Sequence, residues 1–290
     1  MTFSLHTFFF IIVGLIVCLF SEASAQKKEE FKSYYRIADL PYTDNKQQRL
    51  NMLDIYMPKK GSNSPVVIWV HGGNWTSGDK RDVDNMPEFF TGLGYLFVSL
   101  NYRLAPGLIY EDQAYDIAHA IVWIYNNAIH FSGDKSKIIL MGSDTGAQLT
   151  SAVALRDQYL EEKKGNRKMI RGVVSLEGVG FDIPGVLSSE SNRFRDGCYA
   201  VIGNAPGRWE EASPVNMITE GIWAPPFLLA YASGKPVQES DARAMVNRLT
   251  NAIIKSRAQE YPSRSSITRE LGKDGNKLTS DLLVFMSACF

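Results

Sequence analysis

Short runs of Val, Ile, Leu and Tyr alternate along this chain with stretches of helical periodicity. The predicted strands are Leu50 to Tyr56, Pro65 to Val70, Leu96 to Tyr102, Lys137 to Met141, Gly172 to Leu176 and Phe227 to Ala232. A strand with one wet face alternates apolar and polar residues, whereas the middle strands here are continuously apolar and need cover on both faces. Helices between the strands supply that cover. Ala114, Ile117, Ala118, Ile121 and Ile124 recur at helical spacing, and a further helix is expected over roughly Asp241 to Ile254. Alternation of this kind builds a mostly parallel central sheet covered by helices on both faces, an α/β fold.

The chain has 290 residues, 45% of them hydrophobic, which is enough apolar mass for one large core. It shows no internal repeat, low-complexity tract or interdomain linker, so a single domain over residues 26–290 is expected. Gly178 to Ala224, with Pro184, Pro206 and Pro214, is the longest irregular stretch and is predicted to form a small irregular cap over one edge of the sheet.

Phe8 to Phe20 is an almost unbroken apolar run followed by Ala23-Ser24-Ala25, a small-x-small cleavage signal. Residues 1–25 therefore read as a signal peptide, and the protein as exported, periplasmic or secreted. The run lacks a preceding Lys or Arg, having only His6, so an uncleaved N-terminal anchor is the alternative. No other membrane association is predicted. Lys and Arg together number 31, as do Asp and Glu, which removes the global field that a nucleic-acid or anionic-membrane partner would need. Without the signal peptide two cysteines remain, Cys198 and Cys289; a disulfide and two buried thiols are both open. Neither has a C-x-x-C partner or a neighbouring His, so no metal is expected, and no cofactor is implied.

The chemistry concentrates in three motifs. After the strand Pro65 to Val70 come His71-Gly72-Gly73-Asn74-Trp75 and then Thr76-Ser77-Gly78-Asp79-Lys80. Glycines there let backbone amides converge on one point. Val98-Ser99-Leu100-Asn101-Tyr102-Arg103-Leu104-Ala105-Pro106 and Phe131-Ser132-Gly133-Asp134 follow. The strand Ile138 to Met141 then leads into Gly142-Ser143-Asp144-Thr145-Gly146 and a helical run. In this order, from about Tyr35 to Phe285, the chain resembles the HGG(G)-W carboxylesterase branch of the α/β-hydrolases, which includes bacterial acetyl and feruloyl esterases and kynurenine-formamidase and prenylcysteine-methylesterase relatives.

That resemblance implies an α/β-hydrolase fold, an oxyanion hole using the amides of Gly73, Asn74 and Thr145, and a Ser-His-Asp triad. The triad positions depart from the pattern. The middle of the G-x-S-x-G elbow is Asp144, and Ser143 is one residue out of register. The acid position after the next-to-last strand, in Ala232-Ser233-Gly234-Lys235-Pro236-Val237, falls on Lys235. The histidine position, before Ile267-Thr268-Arg269-Glu270-Leu271-Gly272, falls on or near Arg264, and no histidine follows His130. A guanidinium cannot take a hydroxyl proton near neutral pH.

Two readings of function follow. One is a pseudo-hydrolase that binds a small anionic or ester ligand, with Arg264 paired to Asp144 and Lys235 adding positive potential beside the hole. The other is an active carboxylic-ester hydrolase with a rearranged site, in which Asp144 is the nucleophile and Glu177 or Asp182 a base. Plainer roles stand beside these. Asp144 suits a helix N-cap, and Glu177 and Asp182 suit strand ends or loops. Trp75 is expected beneath the oxyanion turn, Trp123 in the core, and Trp209 and Trp223 on a surface flanking the cap. Asp79 and Arg103 are expected to brace loops.

Overall fold

The computed structural model describes residues 27–44, 50–189, 192–263, 266–273 and 275–290. Residues 1–25, expected from the sequence to be a signal peptide, and Arg264 lie outside the described residues. In chain order the elements are β1 (Lys28–Glu30), β2 (Tyr34–Pro41), β3 (Met52–Pro58), β4 (Ser64–Val70), α1 (Met86–Gly92), β5 (Leu96–Leu100) and α2 (Tyr110–Asn127). They continue with β6 (Gly133–Ser143), α3 (Asp144–Leu155), α4 (Asp157–Glu161), β7 (Gly172–Leu176), α5 (Ile183–Leu187), α6 (Asn192–Val201) and α7 (Pro206–Ala212). The last are β8 (Phe227–Ala232), α8 (Pro236–Asn251), β9 (Ser256–Tyr261) and α9 (Lys277–Ser287).

One sheet runs β1-β2-β3-β5-β4-β6-β7-β8-β9. The pairs β1/β2, β2/β3 and β3/β5 are antiparallel, and every pair from β5 to β9 is parallel. Side-chain alternation in β4 shows how the sheet is covered. Val66, Ile68 and Val70 point to the face packed by α2, α3 and α8, with Ile117, Ile121, Leu149 and Met245 in the same cluster. Val67 and Trp69 point to the opposite face, against Met86 and Phe90 of α1 and Leu282 and Phe285 of α9. Each such aliphatic side chain, removed from water, contributes about 1.5–3 kcal/mol, which explains why the central strands carry no polar face.

The strand order reverses at β4 and β6: the chain leaves β4 for β5 on one side and returns past it to β6 on the other. At such a switch point the connections leaving the two strands diverge and open a crevice beyond their C-terminal ends. Both motif turns fall there, one after β4 and one after β6. The stretch predicted as an irregular cap is instead locally helical, in the pieces α5, α6 and α7. Pro184 and Pro206 sit in the first turns of α5 and α7, where a missing amide costs nothing. The cysteines settle on the second of their two readings. Both are free and buried, Cys198 in the cluster with α2 and α3 and Cys289 in the cluster on the other face, so the sheet separates them. Burial pushes their thiols up, to about 12 and about 11.

Candidate functional site

The turn between β6 and α3 is forced tight by its glycines. A Cβ on Gly142 would meet the carbonyl oxygen of Gly146 at 2.6 Å, and one on Gly146 would meet the His71 and Val70 carbonyl oxygens at 2.2 and 2.6 Å. Backbone cannot yield there without parting the two strand ends. Gly146→Ala is therefore expected to cost about 3 kcal/mol, read as a lowered urea midpoint. Between these glycines Asp144 takes φ +49°, the strained left-handed conformation that lifts an elbow side chain above the sheet.

The facing turn after β4 is also left-handed, with φ +113° at Gly73, +57° at Asn74 and +61° at Trp75. Trp75 is wholly buried and fastens the turn to α3: its amide donates to Thr145 Oγ1 at 3.2 Å, and its indole Nε1 to Gln148 Oε1 at 3.2 Å. The Asn74 amide group donates to the Arg193 carbonyl at 2.5 Å, tying the turn to α6 of the cap. Held this way, the backbone N–H groups of Gly73 and Asn74 both aim at one atom, Asp144 Oδ2, at 2.9 and 3.2 Å. The side chain of the elbow residue thus occupies the point on which the two amides converge.

This arrangement corrects one expectation for Asp144. It is not the N-cap of α3: Ser143 holds that position, and no side chain caps the helix. Its expected pairing with Arg264 falls outside the described residues. Thr145 is buried with its hydroxyl on the Trp75 amide. Lys235 stands at the start of α8, exposed, and is absent from the cleft lining. The structure brings Asp144, Gly73 and Asn74 together and leaves Lys235 apart.

Above the turns lies a cleft of about 550 Å³. Its second built carboxylate is Glu177, which directly follows β7 at φ +53°. Its backbone amide donates to the Ala230 carbonyl at 2.7 Å, and its Oε2 accepts hydrogen bonds from the hydroxyls of Ser266 and, at 3.1 Å, Thr268. Asp182, the other candidate base, accepts from the Gly185 amide at the start of α5 and does not line this cleft. Asp82, Asp84, Arg81 and Arg269 complete the charged lining. Four carboxylates thus face two guanidinium groups, and Arg81 is ion-paired at 2.6 Å with Asp79, which is not among the lining residues. Among the described residues the Gly73 and Asn74 amides are taken by Asp144 and the charged lining is net negative, while Arg269 makes no ion pair.

His71 also lines the cleft but is 2% exposed. It stacks on Tyr102, ring centroids 4.5 Å apart, and its Nδ1 donates to the Gly72 carbonyl at 2.7 Å. Burial holds it below the usual histidine range. His119, half-buried on α2, and His130, exposed at the end of that helix, are not among the lining residues. The bracing roles hold: Arg103 grips Asp116 at 2.7 and 2.8 Å, and Asp79 accepts from Asn101 at 3.2 Å. Trp209 stacks on Tyr199 and donates to the Gly203 carbonyl, Trp223 is 46% exposed, and Trp123 packs at the core margin.

An open, mostly parallel sheet with a nucleophile-type elbow facing two convergent amides defines a carboxylesterase-like α/β-hydrolase. The chain belongs to the BD-FAE family, whose model matches residues 53–249. It is 30% identical over 216 residues to Esterase LipC of Mycobacterium tuberculosis, covering 68% of this chain and 52% of the relative. It is 32% identical over 148 residues to an arylesterase of Saccharolobus solfataricus, covering 50% and 45%. The chain spans about half the length of these curated relatives. In fold it is similar to esterase B from Lactobacillus rhamnosis, with a TM-score of 0.74 at 16% identity over 96% of this chain and 93% of that one.

Proposed function

We propose that this exported carboxylesterase-like protein does not turn esters over by a serine mechanism and uses its retained cleft to bind a small ligand. One observation carries the reading: the Asp144 carboxylate sits on the Gly73 and Asn74 amides, so a substrate carbonyl would have to displace a charge-assisted acceptor to reach them. The apolar run Phe8 to Phe20 with Ala23-Ser24-Ala25 supports export. Wild-type protein is expected to hydrolyse p-nitrophenyl acetate no faster than buffer; a clear rate that Asp144→Ala abolishes would overturn the reading.

A second reading rests on the other Asp144 oxygen. Oδ1 has no hydrogen-bond partner among the described residues, while Oδ2 sits in the hole, a geometry suited to carboxylate attack on carbon. Release of the resulting ester needs an activated water. Glu177 is the elbow's neighbour on the adjacent strand and the base this reading requires.

A further inference from the structure

The cleft offers hydrogen-bond acceptors where an esterase pocket offers donors. Ser143 of β6 pairs in register with Leu176 of β7, so Asp144 and Glu177, each one residue further on, leave neighbouring strands side by side. Strands at this spacing stand about 5 Å apart, within the span of one multivalent donor. Each carboxylate has one oxygen committed to the protein: Asp144 Oδ2 to two amides, and Glu177 Oε2 to two hydroxyls. Asp144 Oδ1 and Glu177 Oε1 have no partner among the described residues. A third acceptor is independent of these acids. With its Nδ1 proton on Gly72, His71 carries a lone pair on Nε2, and that atom is buried without a donor.

From this juxtaposition we propose that the cleft selects an organic ammonium ligand, its N–H donors shared between Asp144 Oδ1 and Glu177 Oε1 over the His71 floor. This rests on the reading of the cleft as a binding site and assigns the ligand's chemical class. An ammonium has three donors and no acceptor, the complement of this lining. A carboxylate ligand meets the reverse: the convergent amides are occupied, and the lining acids repel it. Arg269, exposed and also lining the cleft, is left free of the two half-buried acids and makes no ion pair among the described residues.

Isothermal titration with three ligands of one shape, benzylammonium, benzyl alcohol and benzoate, tests the assignment on the protein lacking its signal peptide. Benzylammonium is expected to bind at least about tenfold more tightly than the alcohol, and benzoate not at all at millimolar concentration. Glu177→Gln keeps the shape and the hydroxyl contacts, so it should weaken benzylammonium about tenfold and leave the alcohol unchanged. Added salt should weaken the amine alone. Equal binding of amine and alcohol, no binding of the amine, or preference for benzoate each overturns the proposal. Benzoate preference would sink the charge assignment while leaving a binding protein, whereas ester turnover by wild type would sink the proposed function whatever the titrations show.

Discussion

Removing the Asp144 side chain is expected to raise ester hydrolysis, by roughly ten- to a hundredfold over wild type with p-nitrophenyl acetate. Serine hydrolases stripped of triad members keep about 10³–10⁴ over water from the oxyanion hole and binding alone. Here that residue of catalysis is blocked, because the Gly73 and Asn74 amides donate to Asp144 Oδ2. Alanine vacates the hole for a substrate oxyanion. Glycine does the same without the strain of φ +49° and separates a catalytic effect from a folding one. If Asp144 were instead a nucleophile, both variants would lose activity, so the sign of the change decides between the two readings. Asp144→Ser should do no better than alanine. The only histidine lining the cleft among the described residues is His71, which is buried, with one nitrogen bound to Gly72. A serine variant faster than the alanine variant by more than about a hundredfold would reveal a base and sink the pseudo-hydrolase reading.

The parts of this molecule that were legible in the sequence are those fixed by local sterics and continuous burial. β7 and β8 fall on the predicted residues because both are fully buried and apolar throughout. β9, Ser-Arg-Ala-Gln-Glu-Tyr at the sheet edge, shows neither an apolar run nor clean alternation and went unpredicted, as did β1 and β2 at the other edge. The two motif turns were legible because their glycines are required by contacts a Cβ would violate. Where the Asp144 carboxylate points was not, since that depends on which amides lie within reach across the turn from β4, some 70 residues away in sequence. Glu177 was named from the sequence only as one of two candidate bases. What anchors it comes from hydroxyls 89 and 91 residues later, Ser266 and Thr268, in the loop where a histidine was sought. Lys235 lies between β8 and α8. Its exposure depends on how the turn after β8 enters α8, which the motif does not specify.

Asp241 was read only as the start of a helix, yet its replacement by alanine should produce the largest loss of stability. It lies inside α8, 4% exposed, and accepts the amides of Gly180 at 2.7 Å, Phe181 at 3.0 Å and Asp182 at 2.7 Å. Those residues carry the chain from β7 into α5, so one carboxylate pins the entry to the cap. Alanine leaves three amides without acceptors, two of them buried, at a cost of about 3–5 kcal/mol. The carboxyl group is also under opposing pulls. Burial disfavours its charge, the three amides favour it, and the neighbouring Asp182 opposes it again; burial prevails, and the group is pushed up to about 7. In the unfolded chain an aspartate titrates near about 4. Between these values the folded protein keeps a proton that the unfolded chain releases. This group's contribution is therefore complete below about pH 4 and declines as pH rises to about 7, by up to about 4 kcal/mol. Asp241→Asn keeps one of the two accepting oxygens, sets an NH2 against the remaining amide at every pH, and cannot ionise. Urea unfolding of wild type and the Asn variant at about pH 5 and about pH 8 should show the variant gaining on wild type as pH rises. Other carboxylates titrate equally in both proteins and cancel in the difference. A difference that stays constant with pH would mean that the amides, and not burial, set the ionisation of Asp241.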